Sequence, residues 1–191
     1  MTNASVFNTP NNNVYTSWTN SLNSPAVITE PPYDASKSGN VYSAFVSNSA
    51  SLGLLGGSVT ASLRLNNGGT KTCYIIRVTG GIGVGLSLLS SLTASVNFFK
   101  NGTLTAPAAV TPVNSNLGSS NTSTMTVTSS TVAVTGGTTL ISLPLGSGYF
   151  VTDFFGSIIV PPASTLSLSV SGSLSVAGLL SSQASLFWWE A

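Results

Sequence analysis

The chain has 191 residues, of which five are Lys or Arg and four are Asp or Glu, so charged residues make up only 5% against about 25% in an ordinary soluble domain. Histidine is absent and Cys73 is the single cysteine, which excludes Ser-His-Asp and Cys-His nucleophile systems, an intrachain disulfide and the usual zinc ligand sets. The cations Lys37, Arg64, Lys71, Arg77 and Lys100 are scattered and the net charge is +1, so no nucleic-acid partner is expected and little repulsion opposes self-association.

Residues 1–40 read as an extended N-terminal arm. They hold Asn-rich runs, Pro10, Pro25, Pro31 and Pro32, and the isolated aromatics Phe7, Tyr15, Trp18 and Tyr33. Prolines bar helices and central strands. Phe7, Tyr15 and Trp18 give such an arm the means to dock, on its own domain or on a neighbour, and are candidate assembly-interface residues. The first residues lack the basic start and apolar core of a secretory signal.

From residue 41 to 191 alternation with period 2 takes over, and one β-domain is predicted. In SVTASLRL, Val59, Ala61, Leu63 and Leu65 share one face. CYIIRV is apolar on both faces, as in a strand covered on both sides. The uncharged stretch from Val78 to Phe99 is long enough to span a bilayer, but its glycines and hydroxyl residues break the apolar run, so no membrane partner is expected. GLSLLSSL within it is the only candidate for a short helix. TASVNFFK leads into Asn101-Gly102, the signal of a tight turn. STMTVTSSTVAVTGGTTLISL reads as two or three strands, and Pro161-Pro162 separates GSIIV from STLSLSVSG. In that last segment Leu166, Leu168 and Val170 alternate with serines, whose face is expected to point outward. LLGGSVTASLRL, LLSSLTASVNFF and LLSSQASLFWW share a plan, a weak internal repeat. The whole predicts about 8–10 strands in an antiparallel, jelly-roll-like sandwich.

Little chemistry is available. Gly81-x-Gly83-x-Gly85 has the wrong spacing for a dinucleotide loop and no helix follows it. Asp153 and Glu190 form the only carboxylate pair that folding could plausibly assemble. No catalytic residue, cofactor or metal is therefore assigned. At the C-terminus Trp188 and Trp189 must point to opposite faces of a strand, so one of them is expected to need cover from the arm or from another subunit. Both join the candidate assembly-interface residues.

The segments ASVNFFKNGTLTAP, AAVTPVNSNLGSSNTS, DFFGSIIVPPASTLSLSVSG and ASLFWWE resemble a family of small Ser/Thr-rich β-proteins of bacteriophages and bacteria. The resemblance spans residues 71 to 190. The strand–KNGT–strand and terminal aromatic pattern is also similar to trimeric jelly rolls of the complement and tumour-necrosis-factor type. What this implies is a non-enzymatic structural protein that self-assembles, as a trimer or a filament, on the outside of a particle. A phage head decoration or fibre protein is the first expectation, located on a virion and released without a signal peptide. The alternatives are a subunit of a spore-surface or extracellular filament, and a glycan- or host-binding module.

Overall fold

The structure, a computed structural model, describes residues 6–8, 12–14, 31–85 and 90–191. The short strands β1 (Val6–Asn8) and β2 (Asn12–Val14) pair with each other, and helix α1 (Pro31–Lys37) follows. Then come four long strands: β3 (Val41–Leu52), β4 (Gly57–Asn67), β5 (Cys73–Gly85) and β6 (Leu92–Lys100). Residues 101–137 carry three short ones, β7 (Ala108–Val110), β8 (Val113–Asn114) and β9 (Thr126–Ser130). Four more long strands complete the chain: β10 (Thr138–Leu145), β11 (Gly148–Val160), β12 (Ser164–Leu174) and β13 (Gly178–Glu190).

The second set of long strands pairs with the first in reverse order, β10 with β6, β11 with β5, β12 with β4 and β13 with β3, always antiparallel. This folded-over ladder divides into two sheets, of order β10-β6-β12-β4-β9-β7 and β11-β5-β13-β3-β8. The chain is therefore an all-β sandwich of two antiparallel sheets, as its alternation predicts.

Alternation selects what lies between the sheets. Val59, Ala61, Leu63 and Leu65 of β4, Leu166, Leu168 and Val170 of β12, and Val96 and Phe98 of β6 meet Leu180, Ala184, Leu186 and Trp188 of β13 and Ile75, Val78 and Ile82 of β5. Each large side chain so buried contributes about 2 kcal/mol before entropy is counted. The first two repeat segments occupy equivalent places, since β4 and β6 flank β12 with Leu63 and Phe98 both opposite Leu168. The third forms β13 in the other sheet.

Three expectations are corrected. The predicted arm contains a helix: Pro31 and Pro32 open α1, where the missing N–H costs nothing, with Asp34 in the first turn and Lys37 in the last. Residues 37–40 then tie to the sandwich, with Asn116 and Asn121 side-chain amides donating to the Lys37 and Ser38 carbonyls, each at 3.2 Å. Secondly, Asn101 does turn the chain, at φ 58°, but no hairpin returns along β6, whose neighbours are β12 and β10. The chain crosses the outer face of the six-stranded sheet instead.

The third correction follows from the second. Ser167 and Ser169, expected to face outward into solvent, are buried. A ribbon made by residues 101–107 and 130–137, closed on itself by the Thr103–Thr135 backbone bridge, lies over them. The Ser167 hydroxyl donates to the Gly102 carbonyl at 3.0 Å, and Ser62 of β4 donates to the Val132 carbonyl at 2.8 Å. Gly102 has no room for a side chain, because a Cβ there would meet Val134 Cγ1 at 2.4 Å. As for GLSLLSSL, residues 86–89 lie outside the described residues, and Ser90 and Ser91 are not helical.

Candidate assembly surface

The two long edges of the sandwich are finished differently. On one, residues 101–137 add β9 and β7 beside β4, and β8 beside β3. Those additions are only 2–5 residues long. Asn114, Asn116 and Asn121 stitch them down by donating to backbone carbonyls. Short, irregular and side-chain-capped strands are poor templates for another strand.

The other edge is formed by β10 of one sheet and β11 of the other, joined through Gly146-Ser147. It is long and apolar. Leu140, Leu143, Tyr149, Val151, Phe155 and Ile159 are exposed along it. Between Gly148 and Asp153, β11 runs in regular register with β5, and among the described residues no strand pairs with its outward side. Beyond Asp153 the register breaks, with Phe155 at φ 51° and Gly156 at φ 88°. Pro144 lies within β10, opposite Ser95, as an edge strand allows. Asp153, in an ion pair with Arg77 across the ladder, is the only charged residue in either strand. That hydrogen bond raises the Arg77 pKa. Toward the end of β11 farthest from Gly146 the two strands part around a cleft of about 500 Å³. Leu140, Ile158, Ile159, Val160 and Pro161 line it, and Lys100 and Thr165 lie at its polar side.

The terminal tryptophans do not present themselves to a partner. Trp188 is fully buried in the core, 6.2 Å from the Tyr42 ring. Trp189 points to the other side, as alternation requires, yet is only 8% exposed. Its cover comes from within the chain: Tyr74 stacks on it at 4.8 Å, and a Cβ on Gly156 would meet its ring at 2.1 Å. The bend in β11 at Phe155-Gly156 thus has a packing reason, since only a residue without a side chain at positive φ lets the strand close over the indole. Phe7 lies in β1, opposite Asn13. Tyr15 and Trp18 lie outside the described residues.

Folding does not bring Asp153 and Glu190 together. Asp153 is exposed on β11 beside Arg77, whereas Glu190 is buried at the end of β13. The Glu190 carboxylate accepts from the Ser123 hydroxyl (2.5 Å) and Trp188 Nε1–H (3.1 Å) on one oxygen. On the other it accepts from the Thr124 N–H (3.0 Å) and hydroxyl (2.7 Å). Burial pushes its pKa up, but these donors outweigh burial and hold it below the usual glutamate value. Its role is a clasp that fastens the chain leading into β9. Cys73, paired opposite Glu190, is buried, and burial first and the carboxylate second push its thiol pKa up, the opposite of what a reactive thiolate needs.

Sequence reasoning had missed the β10–β11 edge. Its signal was present in LISLPLGSGYFVTDFFGSIIV, where apolar residues occupy both faces of both strands. Among the described residues no helix is long and apolar enough to cross a membrane, and Val78 to Phe99 falls in β5, its connection and β6. Comparison with protein-family models, with curated proteins and with solved structures found no match.

Proposed function

We propose that this chain is a non-enzymatic structural protein of jelly-roll topology that assembles with copies of itself on the outside of a particle, a phage virion in the first instance. The observation that carries the reading is the β10–β11 edge. A soluble monomer ordinarily guards such an edge with charge, and this one leaves six large apolar side chains in the open. With so few charges on the chain, little electrostatic cost opposes bringing two such edges together.

The jelly-roll topology is supported by the folded-over ladder, in which eight long strands pair first with last and fall four to each sheet. The virion assignment is supported by the resemblance of residues 71 to 190 to Ser/Thr-rich phage proteins and by a surface of hydroxyls in place of charges. Jelly rolls serve many functions, so the fold alone carries none.

Sedimentation velocity across a dilution series tests the assembly. The wild type is expected to sediment as an oligomer, and the double variant Leu143→Glu/Val151→Glu as a folded species with at least tenfold weaker association. A wild type that is monomeric at every concentration overturns the reading, as does a double variant that assembles normally.

A further inference from the structure

We propose that the cleft between β10 and β11 is a binding site for a small amphipathic anion, an apolar body that carries one carboxylate. The site stands apart from the assembly reading, because Leu143 and Val151, the positions that test the edge, do not line it. Val151 pairs with Thr79 and Ile159 with Tyr74. The two places are therefore five residues of β5 apart, about 16 Å at roughly 3.3 Å per residue.

The walls ask for an apolar body. Beyond the break in register that follows Asp153, the end of β11 lines the cleft together with Leu140 of β10 and the start of β12. Val160 and Leu166, two of the lining residues, belong to the core. Leu140 and Ile159 line it too and are 49% and 54% exposed. An aliphatic chain seated there withdraws their side chains and its own surface from water at once. The volume of about 500 Å³ is that of a small-molecule site.

The polar side decides the head group. Lys100, the last residue of β6, is the only charged residue lining the cleft. Among the described residues its ammonium has no ion-pair partner, and the one ion pair is that of Arg77 with Asp153. Glu190 lies two strands from Val160, through β5, and both its oxygens are taken by the Ser123, Thr124 and Trp188 donors. Ser157 and Ser164 also line the cleft, and among the described residues their hydroxyls have no partner in the chain. One cation, two uncommitted hydroxyls and no acid are the complement of a carboxylate, which accepts from all three. A neutral head group gains no charge pairing there, and a cation is repelled.

Titration calorimetry with octanoate tests this, with octanol and octyltrimethylammonium as neutral and cationic probes of the same chain length. Octanoate is expected to bind saturably, octanol about fivefold more weakly, the scale of one exposed ion pair, and the cation not at all. Lys100 is exposed, so Lys100→Met should fold as wild type by circular dichroism. It is expected to weaken octanoate about fivefold and to leave octanol unchanged, while Lys100→Arg restores octanoate binding to within about twofold. Ile159→Glu puts an acid at the wall and should abolish octanoate binding. Leu143→Glu/Val151→Glu, which supplies the unassembled chain, should bind octanoate as wild type does.

Failure of octanoate to bind either wild type or the unassembled variant at millimolar concentration overturns the site, and leaves self-assembly to its own sedimentation test. Octanol that binds as tightly as octanoate overturns the anion, as does octanoate binding that Lys100→Met does not move. Binding lost in Leu143→Glu/Val151→Glu but kept in Ile159→Glu overturns the cleft as its place.

Discussion

The outer faces of the two sheets begin from the same sequence pattern and end in opposite surroundings. On the five-stranded sheet, Ser47, Ser49 and Ser51 of β3 alternate with core residues and stand in solvent. On the six-stranded sheet, Ser62 of β4 and Ser167 and Ser169 of β12 alternate in the same way and are buried beneath the ribbon of residues 101–107 and 130–137. Serine suits both places. It is small enough to lie under a crossing chain, and its hydroxyl donates as readily to a carbonyl as to water. A lysine or glutamate would serve only the open face, because burying its charge without a partner is costly.

Three measurements would break or sharpen that contrast. The largest effect is expected at the clasp. Glu190→Ala removes the acceptor for four donors around Ser123, Thr124 and Trp188, and leaving the buried indole N–H and three part-buried donors unpaired should cost about 4 kcal/mol. Chemical denaturation would measure the loss, and hydrogen exchange should quicken first in residues 123–135. Exchange that stays uniform would mean the ribbon does not depend on the clasp.

Next, Ser62→Leu under the ribbon should cost about 2–3 kcal/mol, from overpacking and from the lost bond to the Val132 carbonyl. Ser47→Leu on the open sheet should stay within about 0.5 kcal/mol. Equal costs at the two positions would erase the distinction between the faces.

The smallest effect is that of pH in the mild range. Because the folded-state pKa of Glu190 is lowered, the clasp adds stability above the unfolded glutamate pKa of about 4.3. It loses that stability only as pH falls through the lower folded value. Denaturation midpoints should therefore be flat from pH 8 to pH 5.5 and fall below about pH 4, with the fall diminished in Glu190→Gln. A steep loss near pH 5 would contradict this assignment.

Much of the sandwich was legible in the chain. Val59, Ala61, Leu63 and Leu65, and Leu166, Leu168 and Val170, announce which side of β4 and β12 is core. Pro161-Pro162 ends β11 and admits β12, as their missing N–H groups require. Helix α1 was hidden because Pro31-Pro32 signals a break in the middle of a helix and a start at its first turn, and nothing nearby distinguishes the two. The surface proposed for assembly was hidden for a different reason. Apolar residues on both faces of Thr138–Leu145 and Gly148–Val160 read as strands covered on both sides, and only the strand order places them at an open edge.

What the amino-acid sequence determined by itself is local: period-2 strands, their core-facing side, their punctuation, and the absence of histidine and of clustered charge. These follow from neighbouring residues, because alternation and turn chemistry act within a few positions of one another. The tertiary structure alone decided that the ribbon roofs one serine face and not the other, that Gly156 and Tyr74 enclose Trp189, and that β10 and β11 are the outermost strands of one edge among the described residues. Each is a meeting of segments tens of residues apart, and which segments meet is settled by the packing of the whole chain.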